Sequence, residues 1–142
     1  MPRIDFYILA ADTTEARTHF CCRLATKAWR DGHRVFIRTD SEATADAIDA
    51  LLWTAQPSSF IPHGRQSHDG ETPIVIDTAP QPGDLLINLA QDMPEDWQQR
   101  QRIAEIITAN PEIRDAGRQR YREYHRAGKK PHTHDIADQE HA

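Results

Sequence analysis

"RIDFYILAADTTEARTHFCCRLATKAWRDGHRVFIRT", residues 3–39, reads as strand, helix and strand, and its reading decides the fold. The opening "RIDFYILA" is rich in β-branched and aromatic residues and predicts a largely buried first strand. Behind it, "DTTE" (12–15) has the spacing of a capping box, with Asp12 able to accept from early backbone N–H groups and Glu15 able to reach back. A helix follows from that signal. Phe20, Leu24 and Ala28, with Cys21 and Ala25 beside them, recur at helical spacing, and Gly32 supplies a left-handed stop. "RVFIRT" (34–39) predicts strand two. The three elements form a βαβ unit, whose strands should be parallel and joined by a right-handed crossover.

The pattern continues outward from this unit. Asp40 or Ser41 should cap a second, alanine-rich helix running through Leu52. "LLWTAQPSSFIPHG" (51–64) then strings Trp53, Phe60 and Ile61 between prolines, where neither helix nor strand should bury them, so each either plugs the core or awaits a partner. "GRQSHDGET" (64–72) reads as an exposed loop. "PIVID" (73–77) and "DLLINLA" (84–90) are short apolar runs bounded by turn residues, hence buried strands three and four. "PEDWQQRQ" (94–101) predicts a helical turn, and "RIAEIIT" (102–108) a strand, because Ile103, Ile106 and Ile107 are β-branched and Pro111 soon closes the segment. A long helix should run from Pro111 to Ala127 and stop at Gly128, leaving a polar, flexible tail over 129–142. The expected fold is a single α/β domain over residues 1–128, Rossmann-like, with a mainly parallel sheet flanked by helices.

Composition sets the outer limits. The 142 residues suffice for one core and are too few for two. No stretch of about 18 apolar residues could span a bilayer, and the start lacks the features of a signal peptide, so a cytoplasmic location is expected. Cys21 and Cys22 are adjacent, which suits neither an ordinary disulfide nor metal ligation; both should be reduced helix residues. Net charge is −5, which gives no general attraction to nucleic acid or anionic membrane. Between Glu112 and Lys130, however, seven basic residues face three acidic ones. An acidic body bearing one basic helix suggests a focused site for an anionic group.

Catalytic signatures are missing. No glycine lies in "AADTTEA", and neither a GxGxxG nor a GxxxxGK[ST] pattern occurs, so a Rossmann-like sheet without a phosphate-binding loop is expected, with no cofactor. Ser58 and Ser59 lack a nucleophile elbow. His132 and His134, in the tail, read as solvated, and His63 and His68 lie in the long loop without the further rigid ligands that a metal needs. Asp5, Asp77 and Asp84 sit at or near strand ends and read as helix or turn caps. An enzyme of nucleotide or DNA metabolism without a glycine loop and a direct nucleic-acid-binding module are two readings that stay open at this point.

The order of "FYILA" (6–10), "DTTE", "AWRDGHRVFIRTD" (28–40), "LLWTAQPSSFIPH" (51–63), "GDLLINLA" (83–90) and "GRQRYREYHRAG" (117–128) resembles the chi subunits of the bacterial DNA polymerase III clamp-loader complex. The 64–72 loop and the His-rich tail depart from that pattern. The resemblance implies an adaptor with no intrinsic activity and no nucleotide site. It implies two partners: the psi subunit of the clamp loader, contacted through Phe60, Ile61 and Pro62, and the acidic, phenylalanine-ended C-terminal tail of single-stranded DNA-binding protein. It leaves open a repair helicase sharing the psi surface.

The terminal helix can be read beside this. At about 100° per residue, Ile113, Ala116, Gly117, Tyr124 and Ala127 group on a core-facing side, whereas Arg114, Arg118, Arg122 and Arg126 form a basic ridge elsewhere. Arg120 lies near the apolar side and reads as an internal ion-pair residue; Tyr121 falls on the border. A border aromatic beside a guanidinium row suits a ligand with an apolar end group and a carboxylate, although a solvated arginine face with a half-buried Tyr121 fits the residues as well. With the resemblance, the tail site comprises Arg114, Arg118, Tyr121, Arg122 and Ile107. Trp53 either walls this pocket or plugs the core at the end of helix two.

Overall fold

The computed structural model describes residues 2–54, 63–64 and 73–136, apart from the side chains of Trp53, Thr54 and His63. Along the chain run β1 (Arg3–Ile8), α1 (Thr14–Arg30), β2 (Val35–Arg38), α2 (Glu42–Thr54), β3 (His63–Gly64), β4 (Ile74–Asp77), β5 (Leu85–Asn88), a 3₁₀ turn (Trp97–Gln99), β6 (Arg102–Ile107), α3 (Pro111–Arg126) and β7 (His132–Asp135). The seven strands form one sheet in the order β3-β4-β2-β5-β6-β1-β7. Every neighbouring pair is parallel. The α/β architecture and the parallel β1 and β2 agree with the sequence, but β5 and β6 lie between those two strands.

Parallel strands covered on both faces need apolar residues at successive positions, and β4 and β5 are buried throughout. One face carries α1 and α2, packed on Val35, Ile37, Ile74, Ile76, Leu85, Ile87, Ala104 and Ile106. The other face carries α3, with Tyr124 and Ile113 over Ile4, Phe6, Phe36, Leu86, Ile103 and Ile107. Strand alternation sorts the two sets, since neighbouring side chains along a strand point to opposite faces. Cys21 and Cys22 are buried free thiols inside α1, and burial pushes Cys22 up to about 12.

Several local expectations shift. The N-cap of α1 is Thr13, whose extended backbone lets its hydroxyl accept from the Ala16 N–H at 3.2 Å; Asp12 lies one residue too early for that geometry. For α2, Ser41 accepts from the Thr44 N–H, while Asp40 accepts from the Gln91 N–H. Gly32 and Gly128 take positive φ at the ends of α1 and α3, as their positions suggested. Ala127, grouped with the core-facing side by helical spacing, is the exposed C-cap of α3.

Asp77 acts as a turn cap, accepting from the Thr78 and Ala79 N–H groups, whereas Asp84 accepts from the Arg34 N–H, 50 residues away in sequence, and so ties the start of β5 to that of β2 rather than capping a turn. Asp5 is not a cap either. Its carboxylate is fully buried within β1 and is held by Arg3, Arg102 and His134. The sheet also continues beyond Gly128, with β7 inside the segment read as a tail. Its residues pair with Asp5, Phe6, Tyr7 and Ile8 of β1, and the Ile136 N–H donates to the Ile8 carbonyl at 3.0 Å. His134, read as solvated, instead stacks on Tyr7 with ring centroids 4.8 Å apart.

Candidate functional site

In a doubly wound sheet, ligands bind where neighbouring strands send their connections in opposite directions. Here that position is at the carboxyl ends of β2 and β5. The chain's own side chains engage one another there. Arg38 donates to Asn88 Oδ1 at 2.9 Å and to Asp92 Oδ1 at 2.7 Å, and Asn88 in turn donates to the Glu105 carboxylate. Among the described residues, no group of three or more His, Cys, Asp or Glu side chains could hold a metal ion, and no helix is long and apolar enough to cross a membrane.

A different site forms on the α3 face. A groove of about 340 Å³ opens between α3 and the sheet, floored by Phe6 and Ile8 of β1 and Ile107 of β6, and walled by Thr133 of β7. Its α3 side is made by Arg114, Gly117, Arg118 and Tyr121. Asn110 caps α3 by accepting from the Glu112 and Ile113 N–H groups, and Pro111 begins it, which fixes the helix start at the groove's end. Gly117 brings the helix close: a Cβ there would lie 2.5 Å from Ile107 Cδ1.

Tyr121 is 36% exposed and packs edge-on against Phe6 at 5.2 Å, so one side of its ring belongs to the core and the other faces solvent. Arg114 and Arg118 are exposed at the rim, and Arg114 also approaches Asp115 at 3.6 Å. The site thus combines an apolar floor with cations at its edge.

A buried polar network sets the seat of α3. Glu105, fully buried on β6, accepts from Arg120 Nε at 3.0 Å and from the Tyr124 hydroxyl at 2.8 Å. Arg120 also donates to the Gln91 carbonyl at 2.6 Å. Burial, then the neighbouring Glu105 charge, push the Tyr124 hydroxyl far above its ordinary value, so it stays a donor. Arg120 is the internal ion-pair residue that its position on the helix predicted. Such a pair contributes fixed register more reliably than net stability.

The structure brings Ile107, Arg114, Arg118 and Tyr121 together in one groove. Arg122 and Arg126 instead border an adjoining shallow depression with Tyr121 and His125. Trp53 belongs to α2, which packs on the opposite face of the sheet from α3. That placement does not join it to this groove. Phe60, Ile61 and Pro62 lie outside the described residues. Sequence reading missed Phe6, Ile8 and Thr133 as lining residues, and took Gly117 as core rather than as the reason the groove is close. The alternation of Ile4, Phe6 and Ile8 was the available signal for the first two.

These features define a Rossmann-like α/β protein in which Arg38, Asn88 and Asp92 hydrogen-bond one another beyond β2 and β5 and a cationic, apolar groove lies on the α3 face. The sequence model described as DNA polymerase III chi subunit, HolC, matches residues 1–132. The chain belongs to this family of DNA replication proteins. It is 37% identical over 131 residues to the DNA polymerase III subunit chi of Pseudomonas aeruginosa, covering 90% of this chain and 92% of the relative. The subunit of that name from Haemophilus influenzae is 32% identical over 125 residues, covering 84% and 87%. That from Escherichia coli K12 is 29% identical over 139 residues, covering 90% and 94%.

Proposed function

We propose that this chain is a non-enzymatic adaptor within the DNA polymerase III holoenzyme, joining the clamp loader, through the psi subunit, to the acidic C-terminal tail of single-stranded DNA-binding protein. The observation that carries the reading is the pairing of an apolar floor (Phe6, Ile107, Tyr121) with two exposed guanidinium groups (Arg114, Arg118) in one groove of an acidic chain. A terminal phenylalanine ring fills the floor, removing apolar area from water at roughly 25 cal/mol per Å². Its α-carboxylate pairs with Arg118, supported by Arg114. Acidic residues upstream follow the ridge toward Arg122 and Arg126, where exposure and salt screening make each contact weak.

The psi contact rests on family resemblance at Phe60, Ile61 and Pro62. An adaptor of this kind needs no titrating nucleophile and no cofactor. Isothermal titration against three ligands tests the reading: an acidic peptide ending in phenylalanine, ATP, and a single-stranded oligonucleotide. Saturable heat with the peptide alone is the expected result. Saturable binding of ATP or oligonucleotide, with none of the peptide, would overturn it in favour of an enzyme or a nucleic-acid-binding module.

A further inference from the structure

β7 is a four-residue edge strand whose two faces do different things. Thr133 points with its register partner Phe6 into the groove beneath α3. His134 points with its partner Tyr7 to the opposite face of the sheet. There its Nε2 lies 2.9 Å from Asp5 Oδ1, and its ring lies nearly parallel to that of Tyr7, with an interplanar angle of 17°. Asp5 and Tyr7 are themselves fixed from β6, since Arg102 donates to Asp5 Oδ2 at 3.1 Å and to the Tyr7 hydroxyl at 2.8 Å. Phe20 of α1 packs against Tyr7 from the other side.

Besides its ladder to β1, the strand presents polar side chains. His132, Thr133 and Asp135 are exposed, and a short edge strand of polar residues lacks both the apolar burial and the second ladder that stabilise interior strands. Beyond it, Ile136 is buried in the α1-side core and anchors the far end. Segments with so few buried contacts open locally at low cost unless a specific contact closes them.

We infer that the Asp5–His134 contact is a clasp that docks β7 and so sets the wall of the groove on the other face of the sheet, making His134 a positioning residue for ligand binding. The ligand half of this inference rests on the tail-binding reading above; the docking half does not. When the binding-competent state is populated to a fraction f, the apparent dissociation constant rises as 1/f. Undocking β7 removes the Thr133 wall, so a clasp variant in which β7 is mostly undocked binds correspondingly more weakly, although it alters no residue in the groove.

Amide hydrogen exchange and peptide titration on the full chain, for wild type, His134→Ala and His134→Gln, test this together. In His134→Ala the β7 amides and the Ile136 amide should lose most of their protection, while the Leu9 amide, bonded to the Ile107 carbonyl on the side away from β7, keeps its own. The dissociation constant for an acidic, phenylalanine-ended peptide should rise about fivefold or more. His134→Gln, which keeps an N–H donor for Asp5, should recover protection and most of the affinity. Retained protection in His134→Ala overturns the clasp, and lost protection with unchanged affinity overturns its link to the groove. If the wild-type chain fails to bind the peptide, the tail-binding reading fails, and exchange still decides the clasp.

Discussion

Gly117 lies directly over Ile107, so close that a Cβ on the glycine would stand 2.5 Å from the isoleucine Cδ1 and 3.3 Å from its Cγ1. Two effects therefore oppose each other in Gly117→Ala. Alanine gains about 1 kcal/mol of helix propensity in a helix interior, while Ile107 must rotate its terminal methyl away from the new carbon. The displaced methyl belongs to the groove floor, so stability should change by no more than about 1 kcal/mol while peptide affinity falls. A thermal melt beside a peptide titration reads both. Unchanged affinity would mean that Ile107 is not part of the binding surface.

The arginines of α3 should not be equivalent. Arg118→Ala removes a charge-assisted hydrogen bond at the groove rim and should cost roughly 1.5 to 3 kcal/mol of peptide affinity. Arg126→Ala, on the exposed last turn, should cost no more than about 0.5 kcal/mol. Tyr121→Ala should also weaken the peptide, although it removes no charge. Equal losses at Arg114, Arg118, Arg122 and Arg126, with log affinity falling linearly in log salt, would indicate nucleic-acid binding instead.

The network under α3 gives a stability test separate from binding. Glu105→Gln leaves the Arg120 guanidinium, 2% exposed, without its counter-charge. Breaking one side of a buried pair costs about 3 to 5 kcal/mol, whereas replacing both members by apolar residues is often neutral. Urea unfolding should therefore show Glu105→Gln far less stable than wild type, with Glu105→Gln/Arg120→Met recovering much of the loss, because it removes the orphaned charge and keeps an amide oxygen for the Tyr124 and Asn88 donors. A double variant no better than the single one would show that the pair contributes net stability.

Asp5 should contribute to the acid limb of stability. Burial alone would raise its carboxyl, but the hydrogen bonds from His134 and Arg102 and the charges of Arg102 and Arg3 outweigh burial and hold it below the usual carboxylate range. A carboxyl lowered on folding contributes stability that is fully present above its unfolded value, about 3.9, and is lost as pH falls through its folded value. Asp5→Asn should thus be less stable than wild type near neutral pH, and the difference should shrink toward about pH 2. Urea midpoints across that range check this; a constant difference would remove Asp5 from the acid limb.

Legibility in the sequence followed the range of the forces involved. Local signals identified β1, α1, β2, α2, β4, β5, β6 and α3: helical spacing and caps for the helices, β-branched or continuous apolar runs bounded by turn residues for the strands. They missed β3, two residues within a stretch read as irregular, and β7: "HTHD" has no apolar alternation, and its strand geometry comes from the β1 ladder and from Asp5, 129 residues away along the chain from His134. Asp5 was misread for the same reason, since all that distinguishes a cap from a buried ion-pair centre is remote partners. Helical arithmetic grouped Arg114, Arg118 and Tyr121 and gave Arg120 its internal role. It could not separate Trp53 from them, because the face on which α2 packs is a property of sheet order.

The central claim is that the groove recognises an aromatic ring and its adjoining carboxylate, and the acidic peptide with and without its last phenylalanine tests this most directly. Titrated at moderate salt, the complete peptide should bind and weaken only partly as salt rises, because the apolar contact is not screened. The peptide lacking phenylalanine keeps every acidic side chain and a terminal carboxylate, and it should show no measurable binding. Equal binding by the two peptides would contradict the account, leaving the arginine ridge as a general anion surface.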